Sequence, residues 1–310
     1  MGGRVSLNVL NYNTFEKTKV CIDSCLRQKG LDYDVILIDN HSSDGSCEKL
    51  RDFYGNKIKY ICNKENYGYA KGNNIGVNYC HEQGYKYSFI LNSDTELVGE
   101  ELVSKLVNII EEHKDCAVIV PTIYDVTREG LDQHINDSSY LKMLRYVGVL
   151  PKNKVLSMEL VTLSEAHGSA LLVNNEDFIL TGGFPEHYFM YGEESTFSKK
   201  VLWNNLQIIG YNSKDQYILH HHDKSGHVEA WRLYLMGRNR GLEYWENKSK
   251  YPLWKIVYLI FLLRLRINSI ISKEKSYLEG LNAAKLLHYG KASYDDCYKH
   301  AIDIREGYGK

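Results

Sequence analysis

No run of this chain is long and apolar enough to cross a bilayer. The longest, Ile256–Leu263, has eight residues, where a spanning helix requires about 20. A disulfide framework and a zinc motif are also missing. The seven cysteines (Cys21, Cys25, Cys47, Cys62, Cys80, Cys116 and Cys297) are odd in number and form no Cys-x-x-Cys pair. That usage reads as reduced thiols in a cytosolic protein. A strand pattern begins by Val5, so a secretory signal is not expected. Nor does charge of one sign prevail. Lys and Arg total 38 against 39 Asp and Glu, and a net charge of -1 gives no global field to draw nucleic acid. Proline occurs only four times, with no low-complexity linker and no internal repeat.

What is present is core-forming material: 310 residues, 44% hydrophobic and 25% charged, enough for one large domain or a domain with an extension. Arg4 to Leu10 reads as a strand. Asn13 then opens a helix with Glu16 as its capping-box partner. Asp34 to Ile38 is an almost continuous apolar run, which suits a parallel strand covered on both faces. Further strands are expected at 57–62, 87–91 and 117–120, with helices between them near 46–54, 70–83 and 100–113. This alternation predicts a doubly wound, mostly parallel α/β sheet. After Pro121 it stops. Residues 122–165 read as irregular, with an aromatic and basic stretch at Tyr140–Tyr146. Strands return at 169–173, 207–211 and 217–220, around a helix at 194–204.

Polar residues gather where strands end. Asp94 closes the strand Tyr87–Leu91, the place where open α/β sheets bind ligands. It is a candidate ligand for a hard cation, Mg²⁺ or Mn²⁺, with Asn92 or Glu96 assisting; the alternative is a capping Asp. Asp39 can accept the imide N–H of a pyrimidine base or cap the next helix. Beside it, Tyr12 can stack on a base, and Asn11 and Asn13 can bond to one or shape the turn. In Asn66–Gly76, Gly68 and Gly72 let backbone approach a ligand, and the helix N-terminus near Ala70 favours a diphosphate. Asn73 and Asn74 are poor helix formers in its first turns. Glu193 and Glu194 follow an aromatic loop, Phe184–Tyr191. They serve either the helix dipole or an acceptor hydroxyl as general base. Of His220-His221-His222, neighbours point to opposite faces of a strand, so His220, alone or with His222, could ligate a metal.

In this order the motifs resemble those of family 2 glycosyltransferases with the GT-A fold, in the rhamnosyltransferase-like branch. The matching segments are Asp39-Asn40-His41-Ser42-Ser43-Asp44-Gly45, Asn66 through Gly76, Leu91-Asn92-Ser93-Asp94-Thr95, Gly182-Gly183-Phe184, Tyr191-Gly192-Glu193-Glu194 and His220 through Ser225. The resemblance implies a glycosyltransferase domain over 1–240, with a nucleotide-binding half (1–121) and an acceptor-binding half (122–240), then a basic helical extension (241–310). It implies that Asn11, Tyr12, Asp39, Asn40, Gly68, Gly72, Asn73, Asn74, Asn92 and Ser93 surround the nucleotide. Asp94 would bind Mn²⁺ or Mg²⁺, and His220 would be a further metal or diphosphate contact. Glu194 falls where the family has its catalytic Asp, with Glu193 beside it. Two departures stand out: Glu-Glu replaces Glu-Asp, and Thr196 and Lys200 replace the Asp and Arg further along that helix.

The expected chemistry is inverting, metal-dependent transfer from dTDP-rhamnose or a UDP-sugar to a glycan or lipid-linked acceptor, as in bacterial surface polysaccharide synthesis. The rival from another class is a catalytically silent nucleotide-sugar-binding protein on the same fold. A processive synthase is disfavoured by the lack of a Gln-x-x-Arg-Trp motif. Residues 248–275 carry seven Lys or Arg against Glu274 alone. They read either as a peripheral contact with an anionic membrane, at the cytoplasmic face, or as a packed helix with solvated ends.

Overall fold

A computed structural model describes residues 4–127, 130–133, 151–221, 229–250 and 275–306, with Ile256, Leu259, Ile260, Leu263 and Arg266. The stretch Tyr140–Tyr146 and the segment from His222 through Ser225 lie outside the described residues.

The chain begins β1 (Val5–Asn11), α1 (Phe15–Leu26), β2 (Tyr33–Asp39), α2 (Ser46–Tyr54), β3 (Lys59–Cys62), α3 (Gly68–Glu82), β4 (Tyr87–Asn92), β5 (Thr95–Val98), α4 (Leu102–Glu112) and β6 (Cys116–Pro121). The reasons are local. Val35, Ile36, Leu37 and Ile38 on β2 are all buried, as a strand covered on both faces requires. α4 buries Leu102, Val103, Leu106, Val107 and Ile110, a single apolar stripe at helical spacing. One local expectation fails. Asn13 does not cap α1. Its φ is 55°, and its side-chain oxygen accepts the Ser43 N–H at 2.8 Å, so Thr14 precedes the helix instead.

The sheet runs β3-β2-β1-β4-β10-β6-β11-β9. Its first four strands are parallel, as expected. β10 (Ala170–Asn174) then enters antiparallel between β4 and β6. β11 (Gln207–Tyr211) lies parallel to β6, and β9 (Leu160–Leu163) closes the edge antiparallel. The sheet is therefore mixed. A second sheet of four short strands, β5-β12-β7-β8, uses β7 (Ile123–Thr127), β8 (Gly130–Gln133) and β12 (Tyr217–His220). Part of the segment expected to be irregular is thus strand, too short and too polar for its alternation to show.

α5 (Asn175–Leu180) and α6 (Glu193–Trp203) follow, and Phe178 of α5, Phe197 of α6 and Phe184 between them pack ring on ring. The chain continues into α7 (Ala230–Glu246), α8 (Ser276–His288) and α9 (Tyr294–Glu306). Residue 240 falls inside α7. α7 and α8 cross almost backbone to backbone. A Cβ on Gly237 would lie 2.1 Å from the Tyr277 carbonyl oxygen, and one on Gly280 2.0 Å from that of Tyr234. All seven cysteines are free thiols, and no helix among the described residues is long and apolar enough to cross a membrane.

Candidate functional site

The ends of β1, β2 and β4 converge on one polar edge. Asn11 is buried, and its Nδ2 donates to Asp39 Oδ1 at 2.7 Å and to the hydroxyls of Ser42 and Ser46. Asp39 accepts the Ser42 N–H at 2.9 Å and its hydroxyl at 2.7 Å. The carboxylate therefore shapes the turn before α2 without capping the helix, whose N-cap is Gly45. Among the described residues Oδ2 accepts only the Ser42 N–H, leaving acceptor capacity for a base N–H. Tyr12 stands 43% exposed beside this edge, open to a stacking partner.

The α3 motif is mostly internal carpentry. Asn40 is buried, and its amide ties Asn66, Gly68, Asn63 and Tyr67 together. Asn74 staples α3 to the Gly-Gly-Phe loop through the Phe184 carbonyl at 2.9 Å and the Phe184 N–H at 3.0 Å. Its amide binds the backbone of that loop. At Gly68 and Gly72 the missing side chains make room for protein. A Cβ on Gly68, whose φ is 73°, would lie 2.4 Å from the Phe189 carbonyl, and one on Gly72 2.8 Å from Leu10. Asn73 differs. Its Nδ2 bonds the Tyr69 carbonyl, but its buried Oδ1 has no protein partner among the described residues.

Beyond β4, the Ser93 hydroxyl accepts from Thr14, and Asn92 sits partly exposed. Asp94 faces His220, with Oδ1 3.5 Å from Nε2. Burial alone would raise the Asp94 pKa, but His220 and Lys17 hold it below the ordinary carboxylate value. His220 Nδ1 lies 2.9 Å from Asp125 Oδ1. His221 turns the other way, to Glu96 at 3.1 Å, as strand alternation demands. Asp94 also borders a cleft of about 390 Å³ with Glu16, Lys17 and His221. One carboxylate oxygen and one imidazole nitrogen suit Mn²⁺ or Mg²⁺. Octahedral neighbours at roughly 2.1 Å from the ion lie about 3 Å apart, so the two side chains fit with little closure. No cluster of three His, Cys, Asp or Glu arranged to hold a metal occurs among the described residues.

Gly192, with φ 90°, turns the chain into α6 and aims its first two residues apart. Glu193 is buried, its Oε2 without a partner among the described residues, and burial and the Glu194 charge push its pKa well up. Glu194 instead lines a cavity of about 210 Å³ with Glu165, Tyr191, Asn239, Arg240, Glu243 and Tyr277 among its walls. Burial, and then the Glu165 charge, raise the Glu194 pKa to about 7. Thr196 is buried against the Tyr188 hydroxyl at 3.4 Å. The buried cation of this helix is Lys199 rather than Lys200; its Nζ lies 3.3 Å from Glu243 and 2.9 Å from the Ser195 hydroxyl.

Sequence reasoning missed several of these walls. Asn239 donates to the carbonyls of Tyr188, Met190 and Tyr191, and Arg238 to Tyr188, so α7 holds the aromatic loop in place. Buried polar residues at Arg238, Asn239 and Glu243 in an otherwise ordinary helix were the available signal. Between Glu194 and His220 runs the loop Glu165–Ser169. A Cβ on Gly168 would lie 3.5 Å from both Glu194 and the Tyr69 hydroxyl. The His167 ring packs 5.9 Å from that of His220.

Comparison with known proteins agrees with this geometry. The model of the family described as "Glycosyl transferase family 2" matches residues 6–169, more than half of the chain. The low-salt glycan biosynthesis hexosyltransferase Agl10 of Haloferax volcanii is 27% identical over 77% of this chain and 74% of its own length. The structure of S. aureus TarS 1–349 in complex with UDP-GlcNAc superposes with a TM-score of 0.59 at 18% identity, over 98% of this chain and 92% of that one. GalNAc-T7, crystallised with UDP, GalNAc and Mn²⁺, gives a TM-score of 0.60 at 14% identity. The match covers 81% of this chain but only 52% of GalNAc-T7. These likenesses establish the fold as GT-A.

Proposed function

This chain belongs to glycosyl transferase family 2, and we propose that it moves a sugar from a nucleoside diphosphate sugar to an acceptor hydroxyl with inversion at the anomeric carbon. The observation that carries the reading is Glu194. Of the two adjacent acids it is the one that lines this cavity, and its pKa of about 7 suits a general base. Glu194 takes the proton from the acceptor hydroxyl held in that cavity. Arg240, Glu243 and Tyr277 form the opposite wall and orient the acceptor. Asn11, Tyr12 and Asp39 receive the base, and the unpartnered Asn73 Oδ1 accepts from a donor hydroxyl. A divalent cation, Mn²⁺ or Mg²⁺, would be held by Asp94 and His220, and would neutralise charge on the departing diphosphate. The UDP-sugar complex of TarS makes a uridine donor the first to test, with dTDP-rhamnose second.

The expected outcome for Glu194→Gln is a loss of turnover on the order of 10²–10⁴-fold with donor affinity retained. Single-turnover assays and calorimetry with the donor check it; undiminished turnover sinks the assignment. Donor hydrolysis by the wild type would separate the enzyme from a silent sugar-nucleotide binder.

We assign the acceptor to a glycan or lipid-linked class at a cytoplasmic membrane face. Support comes from Ile256, Leu259, Ile260 and Leu263, which are helical, about half exposed and spaced to share one face. Exposed Lys248, Lys250 and Arg266 add positive charge near them. The remaining residues of 251–274 lie outside the described set. Flotation with anionic vesicles at low salt is the expected behaviour; a protein left at the bottom of the gradient refutes membrane attachment.

A further inference from the structure

We propose that Asp125 is a positioning residue for the cation site: its carboxylate holds the His220 ring so that Nε2 faces the position shared with Asp94. The inference rests on the donor-site reading above and goes beyond it.

Strand register creates the arrangement. β12 runs between β5 and β7, and His220 is opposite Thr95 on one side and Asp125 on the other. Residues paired this way in neighbouring strands project from the same face of the sheet. Asp125 and His220 are therefore brought together by the backbone before any side chain chooses a rotamer. Asp125 is only 7% exposed, and a carboxylate so placed is costly without a donor. The ring supplies one, Nδ1 at 2.9 Å from Oδ1. A ring that donates from Nδ1 keeps its lone pair on Nε2, the nitrogen 3.5 Å from Asp94. His167 packs edge-on against the other side of the ring. The ring's direction is thus set by its neighbours, and in the neutral ring the contact to Asp125 favours the proton on Nδ1.

Nothing in the sequence pointed to Asp125. It sits in a five-residue strand within a segment expected to be irregular, 31 positions after Asp94 and 95 before His220. Its function appears only once the second sheet is assembled. That gives the small sheet a purpose: it sets two acids and an imidazole in line across three adjacent strands and the turn before them.

The carboxylate–imidazole–cation relay makes a quantitative prediction. Losing the outer partner lowers metal affinity by about 10–100-fold. Mn²⁺ would be titrated into the full chain with UDP present, free Mn²⁺ being read by electron paramagnetic resonance. Asp125→Ala is expected to show a loss of that size. Asp125→Asn, whose amide oxygen still accepts from Nδ1–H, should lose less. UDP binding without metal and the melting temperature should stay near wild type. Mn²⁺ affinity unchanged in Asp125→Ala overturns the proposal. Asp94→Ala and His220→Ala separate the two levels of inference. If both abolish Mn²⁺ binding while Asp125→Ala leaves the affinity unchanged, only the role of Asp125 falls. If the wild type binds no Mn²⁺ with UDP, or Asp94→Ala leaves binding intact, the donor-site reading falls and takes this inference with it. A second readout needs no variant at Asp125. Nitrogen-15 spectra of the wild type with Mg²⁺ and UDP, assigned with His220→Ala, should place the neutral ring proton on Nδ1. A proton on Nε2 refutes the relay.

Discussion

Glu194 owes its chemistry to its neighbours. The first turn of α6 offers backbone N–H groups that stabilise its charge, yet burial and Glu165 push the other way and win, to about 7. A base must be deprotonated to work, so activity is lost as pH falls through that value. We expect kcat/KM to show an acid limb near about 7. Glu165→Gln removes the like charge, so the limb should move to lower pH while the plateau survives. A pH–rate profile with an unmoved limb would remove Glu165 from the account. At this scale the sequence was uneven. Asp94, His220 and Glu194 stood out as candidates because an ordered motif marks them. Asn40 and Asn74 stood out in sequence, but a buried amide that organises backbone, as both do here, looks the same there as one that binds a ligand. Glu165 and Asp125 were silent, being single acids in a loop and a short strand.

Among elements, the crossing of α7 and α8 is the most constrained. At Gly280 the obstacle to a methyl group is backbone, the Tyr234 carbonyl, which cannot rotate away. Overpacking commonly costs about 1–3 kcal/mol, and Gly280→Ala should reach the upper end of that range in urea unfolding. It should also reduce activity, because both helices wall the cavity through Met236, Asn239, Arg240, Glu243 and Tyr277. A variant of native stability would show that the two helices can part cheaply. The longer elements of the first 121 residues were readable from period alone, since each buries one apolar set. β5, β7 and β8 were harder: four or five residues give too few alternations, although β12, equally short, was readable at 217–220.

Over the whole molecule, β10 is the piece that no local pattern could place. Its apolar run announced a strand, but its insertion between β4 and β6 depends on partners 79 and 53 positions away, such as Leu91 for Ala170 and Ile119 for Leu172. Without it, β6 has no link to the parallel strands, since its other partner is β11. The segment 1–121, though it reads as a self-sufficient nucleotide-binding half, should not fold alone. Expressed by itself, it is expected to aggregate through its open β4 and β6 edges; a soluble, cooperatively melting fragment would contradict this. The same insertion bears on synthesis. The ribosome delivers β10 about 50 residues after β6, several seconds at ordinary elongation rates. During that interval two apolar strands wait side by side with a gap between them, an opening that a chaperone or a neighbouring nascent chain can fill first.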